Sequence, residues 1–195
     1  MSLLQGHLLL AAPHLQDPRF LRTVVLVLQH SLRGAWGVVL NRPMSLSREE
    51  LVKILPEPSD RPGPLDALTN SVHSGGPVPG PMIALQRTSA GMENRGGGNL
   101  CCEDVVPCED VTCCNADELV EPSESWRLFV GHVEWQGGEL EQELQRGDWL
   151  TMAASSARVF ANEEDLWAHC LRSIGRTFLQ EVLRVKHLPV DPSWN

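Results

Sequence analysis

Several features are missing from this 195-residue sequence, and each absence removes a class of function. No Lys or Arg precedes Arg19, and Gln5, Gly6 and His7 interrupt the apolar stretch at the start. That stretch lacks the basic region and unbroken apolar run of a secretory signal, so it is expected to form a first strand. No apolar run approaches the ~18 residues that a membrane-spanning helix needs. Together these absences predict a cytoplasmic protein with no membrane partner. Clustered bases are missing as well: the formal charge is −9, from 25 acids and 16 bases. Binding to a phosphate backbone depends on a basic stripe, and no helix-turn-helix with a basic recognition helix is found, so direct nucleic-acid binding is not expected. There is no G-x-S-x-G nucleophile turn either, because Thr88-Ser-Ala-Gly91 lacks the first glycine.

The acidity that is present is uneven. Residues 93–148 hold 14 acids and 3 bases, residues 1–92 hold 6 and 8, and residues 149–195 hold 5 of each, so the middle segment carries the whole surplus. Five of the six cysteines crowd into the same segment, as Cys101, Cys102, Cys108, Cys113 and Cys114. Thiolates can close a tetrahedral zinc site when paired at a spacing of roughly two to four residues. Only Cys108 and Cys113 meet that spacing, and the interleaved Glu103, Asp104, Glu109 and Asp110 argue against it. Cys108 and Cys113 are therefore weak metal candidates. The simpler reading is small hydrophobic residues in a strand and its lead-in loop, with no metal or cofactor.

Strands are predicted at residues 8–12, 23–28, 38–40, 82–86, 111–114, 126–130 and 148–153 from short β-branched or alternating apolar runs. Residues 31–37, punctuated by Gly34 and Gly37, read as a hairpin connection. Ser47-Arg-Glu-Glu50 is a capping box that opens a helix over 48–55. Further helical pieces are expected at 117–120, between Gly138 and Gly147, and over 163–173 with Asn162 as its cap, Gly175 separating the last from a stretch through Val185. The segment 56–64, with four prolines, reads as surface loop, and 88–114 as a mobile loop joined to the cysteine-rich strand. Strands and helices without regular βαβ alternation indicate one α+β domain over residues 1–195, with a largely antiparallel sheet.

Three constellations are candidates for chemistry. His132-Val-Glu134 imitates the H-x-E of zinc deaminases, but Pro107-Cys108 lies upstream and lacks the following C-x-x-C, so alternate strand residues with one wet face are the simpler reading. Gly75-Gly76-Pro77-Val78 can be an anion nest or a tight turn that needs positive φ; no helix follows to complete a phosphate loop. Arg22, His30, Asn41 and Arg42 lie at ends of the two N-terminal strands, where they can offer donors to a carboxylate or phosphate or satisfy turn carbonyls. His30, His73 and His132 are the candidate bases of any enzymatic reading.

Gly6-x-Leu-Leu-Leu-Ala-Ala-Pro13, Arg22-Thr-Val-Val-Leu, Gly34-Ala-x-Gly37 with Asn41-Arg-Pro43, Gly75-Gly-Pro-Val78, Leu128-Phe-Val-Gly131, Gly138-x-Leu-Glu-x-Glu-Leu144 and Asp191-Pro-Ser-Trp-Asn195 follow one another in this order along the chain. In these blocks the sequence resembles the YqgE/AlgH family of small bacterial proteins. The resemblance implies an α+β domain with a bifurcated sheet, part of it curled into a small barrel, surrounded by helices. It departs at Gly131-His-Val-Glu-Trp135, where the family pattern is Gly-Tyr-x-Gly-Trp, and at the cysteine-rich segment. The family carries a transcriptional-regulator label, which this acidic chain can satisfy only indirectly. The favoured function is a non-enzymatic binding or regulatory domain that recognises a protein or small ligand at Arg22, His30, Asn41, Arg42, Gly75 and Gly76. An enzyme built from the Asn41-Arg42-Pro43 and Gly75-Gly76-Pro77 loops is the alternative.

Overall fold

The computed structural model describes residues 3–47, 49–50, 72–87, 111–115 and 126–184. Five strands form one sheet: β1 (His7–Ala11), β2 (Val24–Ser31), β3 (Gly34–Val39), β8 (Val133–Gln136) and β9 (Trp149–Ala153). Their order is β8-β3-β2-β1-β9, every pair antiparallel. A second sheet has the order β4-β7-β5-β6, built from β4 (Val72–Ser74), β5 (Ile83–Arg87), β6 (Val111–Asn115) and β7 (Trp126–Val130). Only β4 and β7 run parallel.

The first sheet is covered on both faces, which explains why residues 23–28 read as an unbroken apolar run and not as an alternating one. Leu8, Leu10, Val24, Leu26, Leu28, Val38 and Leu40 face the second sheet, meeting Ile83, Leu85, Phe129 and the helix residues Leu166 and Cys170. Burial pushes the Cys170 thiol above its ordinary pKa. Leu9, Ala11, Val25, Val27 and Val39 face the other way, under Leu140 and Leu144 of helix α1 (Glu139–Arg146). Gly147 ends that helix with φ 78°, as its place after the last apolar residue predicts. Helix α2 (Ser156–Val159) is a single turn, and α3 (Glu163–Glu181) starts at the Asn162 cap, whose side chain accepts from the Glu164 N–H. The box at Ser47 also forms: Glu50 N–H donates to Ser47 Oγ at 3.3 Å and Ser47 N–H to Glu50 Oε2 at 2.9 Å.

The bifurcation lies where β7 passes into β8. Gly131, at φ 75°, lets one strand path leave the second sheet and enter the first, and His132 bridges to Val78. The strands among the described residues make two open sheets and do not close into a barrel. Two expectations need correction. Strand β3 already begins at Gly34, paired with Ser31, so the connection expected over 31–37 is a tight turn at Leu32 and Arg33. Helix α3 also runs unbroken through Gly175, whose missing side chain faces open space. An exposed helical glycine costs about 1 kcal/mol relative to alanine, too little to break a helix anchored by Leu166 and Cys170. Most of 48–55 and 88–114, including Cys101, Cys102 and Cys108, lies outside the described residues, as do 117–120 and 56–64.

Candidate functional site

Arg22, Asn41, Arg42 and Gly75 meet at one end of the N-terminal strands. Asn41 Oδ1 accepts from the Val24 N–H and Nδ2 donates to the Arg22 carbonyl, both at 2.9 Å. Arg42 Nη2 donates to the Leu21 carbonyl at 2.7 Å. These polar groups satisfy the turn before β2, which contains Arg22 at φ 53°. The Arg22 guanidinium lies 5.7 Å from the Trp167 ring centre, and Trp167 Nε1 donates to the Ala11 carbonyl. Gly75 accepts from Val39 N–H at 2.8 Å and donates to Val130 at 2.8 Å, tying the two sheets together. A Cβ at Gly75 would stand 2.2 Å from the Gly131 carbonyl oxygen, and one at Gly76 would stand 2.2 Å from that of His132. Close backbone packing at the sheet junction therefore accounts for both glycines.

His30 is not brought to this group; it stands at the opposite end of β2. A register shift between Val27 and Gln29 turns His30 onto the α1 face, opposite Ala35, whereas uninterrupted alternation would leave it on the face of Leu26 and Leu28. The 6% exposed His30 accepts from the Leu4 N–H at Nδ1 and meets Glu141 Oε1 at 2.9 Å through Nε2. Two residues along α1, Glu143 Oε2 receives the indole N–H groups of both Trp135 (2.8 Å) and Trp149 (2.7 Å). Leu140 and Leu144 pack while Glu141 and Glu143 reach polar partners, so the L-E-x-E-L block docks α1 onto the sheet.

A second histidine lies in an ionic cluster. His73 Nε2 is 3.1 Å from Glu163 Oε1, which Arg127 Nη2 approaches to 2.7 Å. Arg127 also donates to the carbonyls of Val159 and Ala161, so one guanidinium anchors the whole α2–α3 connection to β7. Burial would raise the Glu163 carboxyl, but its own backbone N–H, Arg127 and His73 outweigh that and hold it below its ordinary pKa. Burial lowers Arg127, with Glu163 acting against it.

The third histidine opens onto solvent. Where the sheets diverge lies a cleft of about 450 Å³, walled by Gln29, Arg33, Trp36, Ile83, His132 and Glu134. Trp36 Nε1 is committed to Gln29 Oε1 at 2.9 Å, which fixes the indole, and the His132 ring meets it nearly edge-on at 6.1 Å and 82°. Glu134, directly across from Trp36 in the β3–β8 register, is 49% exposed and lies 4.0 Å from His132 Nε2. Ser31 also lines the cleft, but its hydroxyl bonds the turn at Arg33 and Gly34. His132-Val-Glu134 is thus the alternating strand pair of the simpler reading, with both polar side chains in one cleft. Cys113 is buried in the core, and no group of three or more His, Cys, Asp or Glu suited to a metal forms among the described residues.

Trp36, Gln29 and Arg33 escaped sequence reasoning because strand register, not a motif, brings them to His132. The available signal was Gly131, whose positive φ marks the bend that opens the cleft. Residues 8–179 match the AlgH-like family. A protein from Rhodococcus opacus is 35% identical over 97% of this chain and 90% of its own length. One from Chlorobaculum tepidum is 32% identical over 87% and 86%. Of solved structures, the AlgH protein of Pseudomonas aeruginosa superposes with a TM-score of 0.66 at 25% identity, over 96% of this chain and 97% of that one. A protein from Corynebacterium diphtheriae gives 0.68 at 24% identity over 89% and 88%, a likeness of fold alone.

Proposed function

The chain belongs to the AlgH-like family, and we propose that it is a non-enzymatic binding domain whose ligand, or a side chain of whose partner, enters the cleft between the two sheets. The observation that carries this is the pairing of a fixed indole with a half-exposed carboxylate in one concave site, Trp36 across from Glu134. Ligand sites combine apolar walls with a few placed polar groups, and this cleft has both. The other two histidines and Glu143 are spent on holding helices to the sheets. His132 and Glu134 are also the positions at which the sequence departs from the Gly-Tyr-x-Gly-Trp pattern, so the polar groups of the cleft are ones that this pattern does not carry.

The alternative, an enzyme built from the Asn41-Arg42-Pro43 and Gly75-Gly76-Pro77 loops, finds less support, since Asn41 and Arg42 bond turn backbone and the candidate base His30 stands at the other end of β2 with Glu141. A regulatory role would follow from partner binding, not from contact with DNA, given the −9 charge.

A fragment library read by ¹H–¹⁵N chemical shifts tests the reading. Hits that move the Trp36 indole and the amides of residues 132–134 support it. Hits confined to the Arg22 and Arg42 end would transfer the site there, and no hit at either would refute a small-ligand role.

A further inference from the structure

The first sheet has two edges, and they are built differently. The β8 edge is four residues long, follows the Gly131 bend and carries Glu134, features that discourage another strand from adding. The β9 edge carries none of them: from Trp149 to Ser156 the sequence Trp-Leu-Thr-Met-Ala-Ala-Ser-Ser has no charge and no proline. Its pairing with β1 runs unbroken from Ala153 to Trp149. The Asp148 carbonyl accepts from Ala12 N–H and Ala154 N–H donates to Gly6, so the even-numbered backbone groups face β1. By alternation, the N–H and C=O of Trp149, Thr151 and Ala153 face outward. Thr151 and Ala153 have exposed side chains, and among the described residues only the Ala153 carbonyl meets a donor, Arg158 Nη1 at a long 3.4 Å.

We propose that β9 pairs with β9 of a second copy of this chain, antiparallel about Thr151, so that the two first sheets become one. The strand is self-complementary in that register. Trp149 faces the partner's Ala153, large against small; Leu150 faces the partner's Met152; and threonine meets threonine. Asp148, just before the strand, is paired with Arg146 of its own chain at 2.7 Å, so the contact across the two-fold axis rests on the backbone ladder and the side-chain register. A two-fold contact of this kind closes on itself and leaves no free edge at β9. It covers few residues, so the association is reversible and depends on concentration.

Sedimentation velocity of the full chain from micromolar to millimolar concentration reads this directly, together with hydrogen exchange at the Thr151 amide. The wild type moves toward twice the monomer mass as concentration rises, and Thr151 gains protection in step. Thr151→Pro removes an outward N–H without touching the β1 ladder, and Thr151→Lys sets like charges across the two-fold axis. Both variants sediment as monomers with unchanged thermal unfolding. Should Thr151→Pro unfold, Thr151→Lys and the exchange of the wild type decide alone. A wild type that stays monomeric overturns the proposal. So does a dimer that persists in Thr151→Lys, or one that leaves Thr151 exchange independent of concentration. Pairing of β9 with an unrelated extended peptide in a chain that stays monomeric would also overturn it and assign the edge to a different partner.

Discussion

Replacing Arg127 with methionine removes a charge from the interior while keeping most of the side chain's volume. Arg127 is 8% exposed and holds Glu163 at 2.7 Å, together with the carbonyls of Val159 and Ala161. Removing one partner of a buried pair costs about 3–5 kcal/mol because the other charge is stranded. Glu163 keeps His73 at 3.1 Å and 26% side-chain exposure, which places the cost at the lower end. At about 3 kcal/mol the melting midpoint falls by roughly 6–12 °C for a chain of this length. Urea unfolding followed by circular dichroism measures the loss, and amide exchange locates it at the start of α3. In a double-mutant cycle with Glu163→Gln, the coupling should exceed about 1 kcal/mol, the upper range for exposed pairs. A loss below about 1 kcal/mol would show that the cluster behaves as a surface pair and that the connection between α2 and α3 is held by something else.

Three further outcomes follow from the same geometry. Because Glu163 titrates below its ordinary value when folded, its contribution is complete above the unfolded carboxyl pKa and is lost as pH falls through the folded one. Glu163→Gln should therefore lose less stability than the wild type when urea midpoints are compared between neutral and acid pH; equal losses would contradict this. Gly131→Ala places a methyl 2.7 Å from the Gly76 carbonyl oxygen at φ 75°, and should cost more than about 2 kcal/mol by calorimetry, combining strain with displacement of the sheet junction. Gly175→Ala meets open space within α3 and should instead raise stability by about 0.5–1 kcal/mol; a loss would mean that the glycine serves a contact outside the helix.

The strands and helix ends were legible because their causes are local. β-Branched runs give Val24–Leu28, Gly147 stops α1, and Asn162 caps α3. The resemblance added the bifurcated α+β plan. What escaped depends on pairing across long separations. No local pattern reports the register shift that turns His30 toward Glu141, 111 residues away, or the 90 residues between His73 and Glu163. Asn41 and Arg42 were correctly placed at strand ends, and the structure shows their side chains bonded to turn backbone. The role of Gly75 and Gly76 needs the second strand path to be known, since their neighbours are the carbonyls of Gly131 and His132.

Entry of ligands or partners at Trp36 and Glu134 is decided by comparing affinities. For a fragment that moves the Trp36 indole, dissociation constants are measured by isothermal titration for the wild type, Trp36→Ala, and the double variant Arg22→Ala/Arg42→Ala. Trp36→Ala should lose at least about tenfold in affinity, equivalent to about 1.4 kcal/mol, while the double variant keeps the wild-type value. An unchanged affinity in Trp36→Ala, with the loss appearing in the arginine variant, would contradict entry at Trp36 and Glu134.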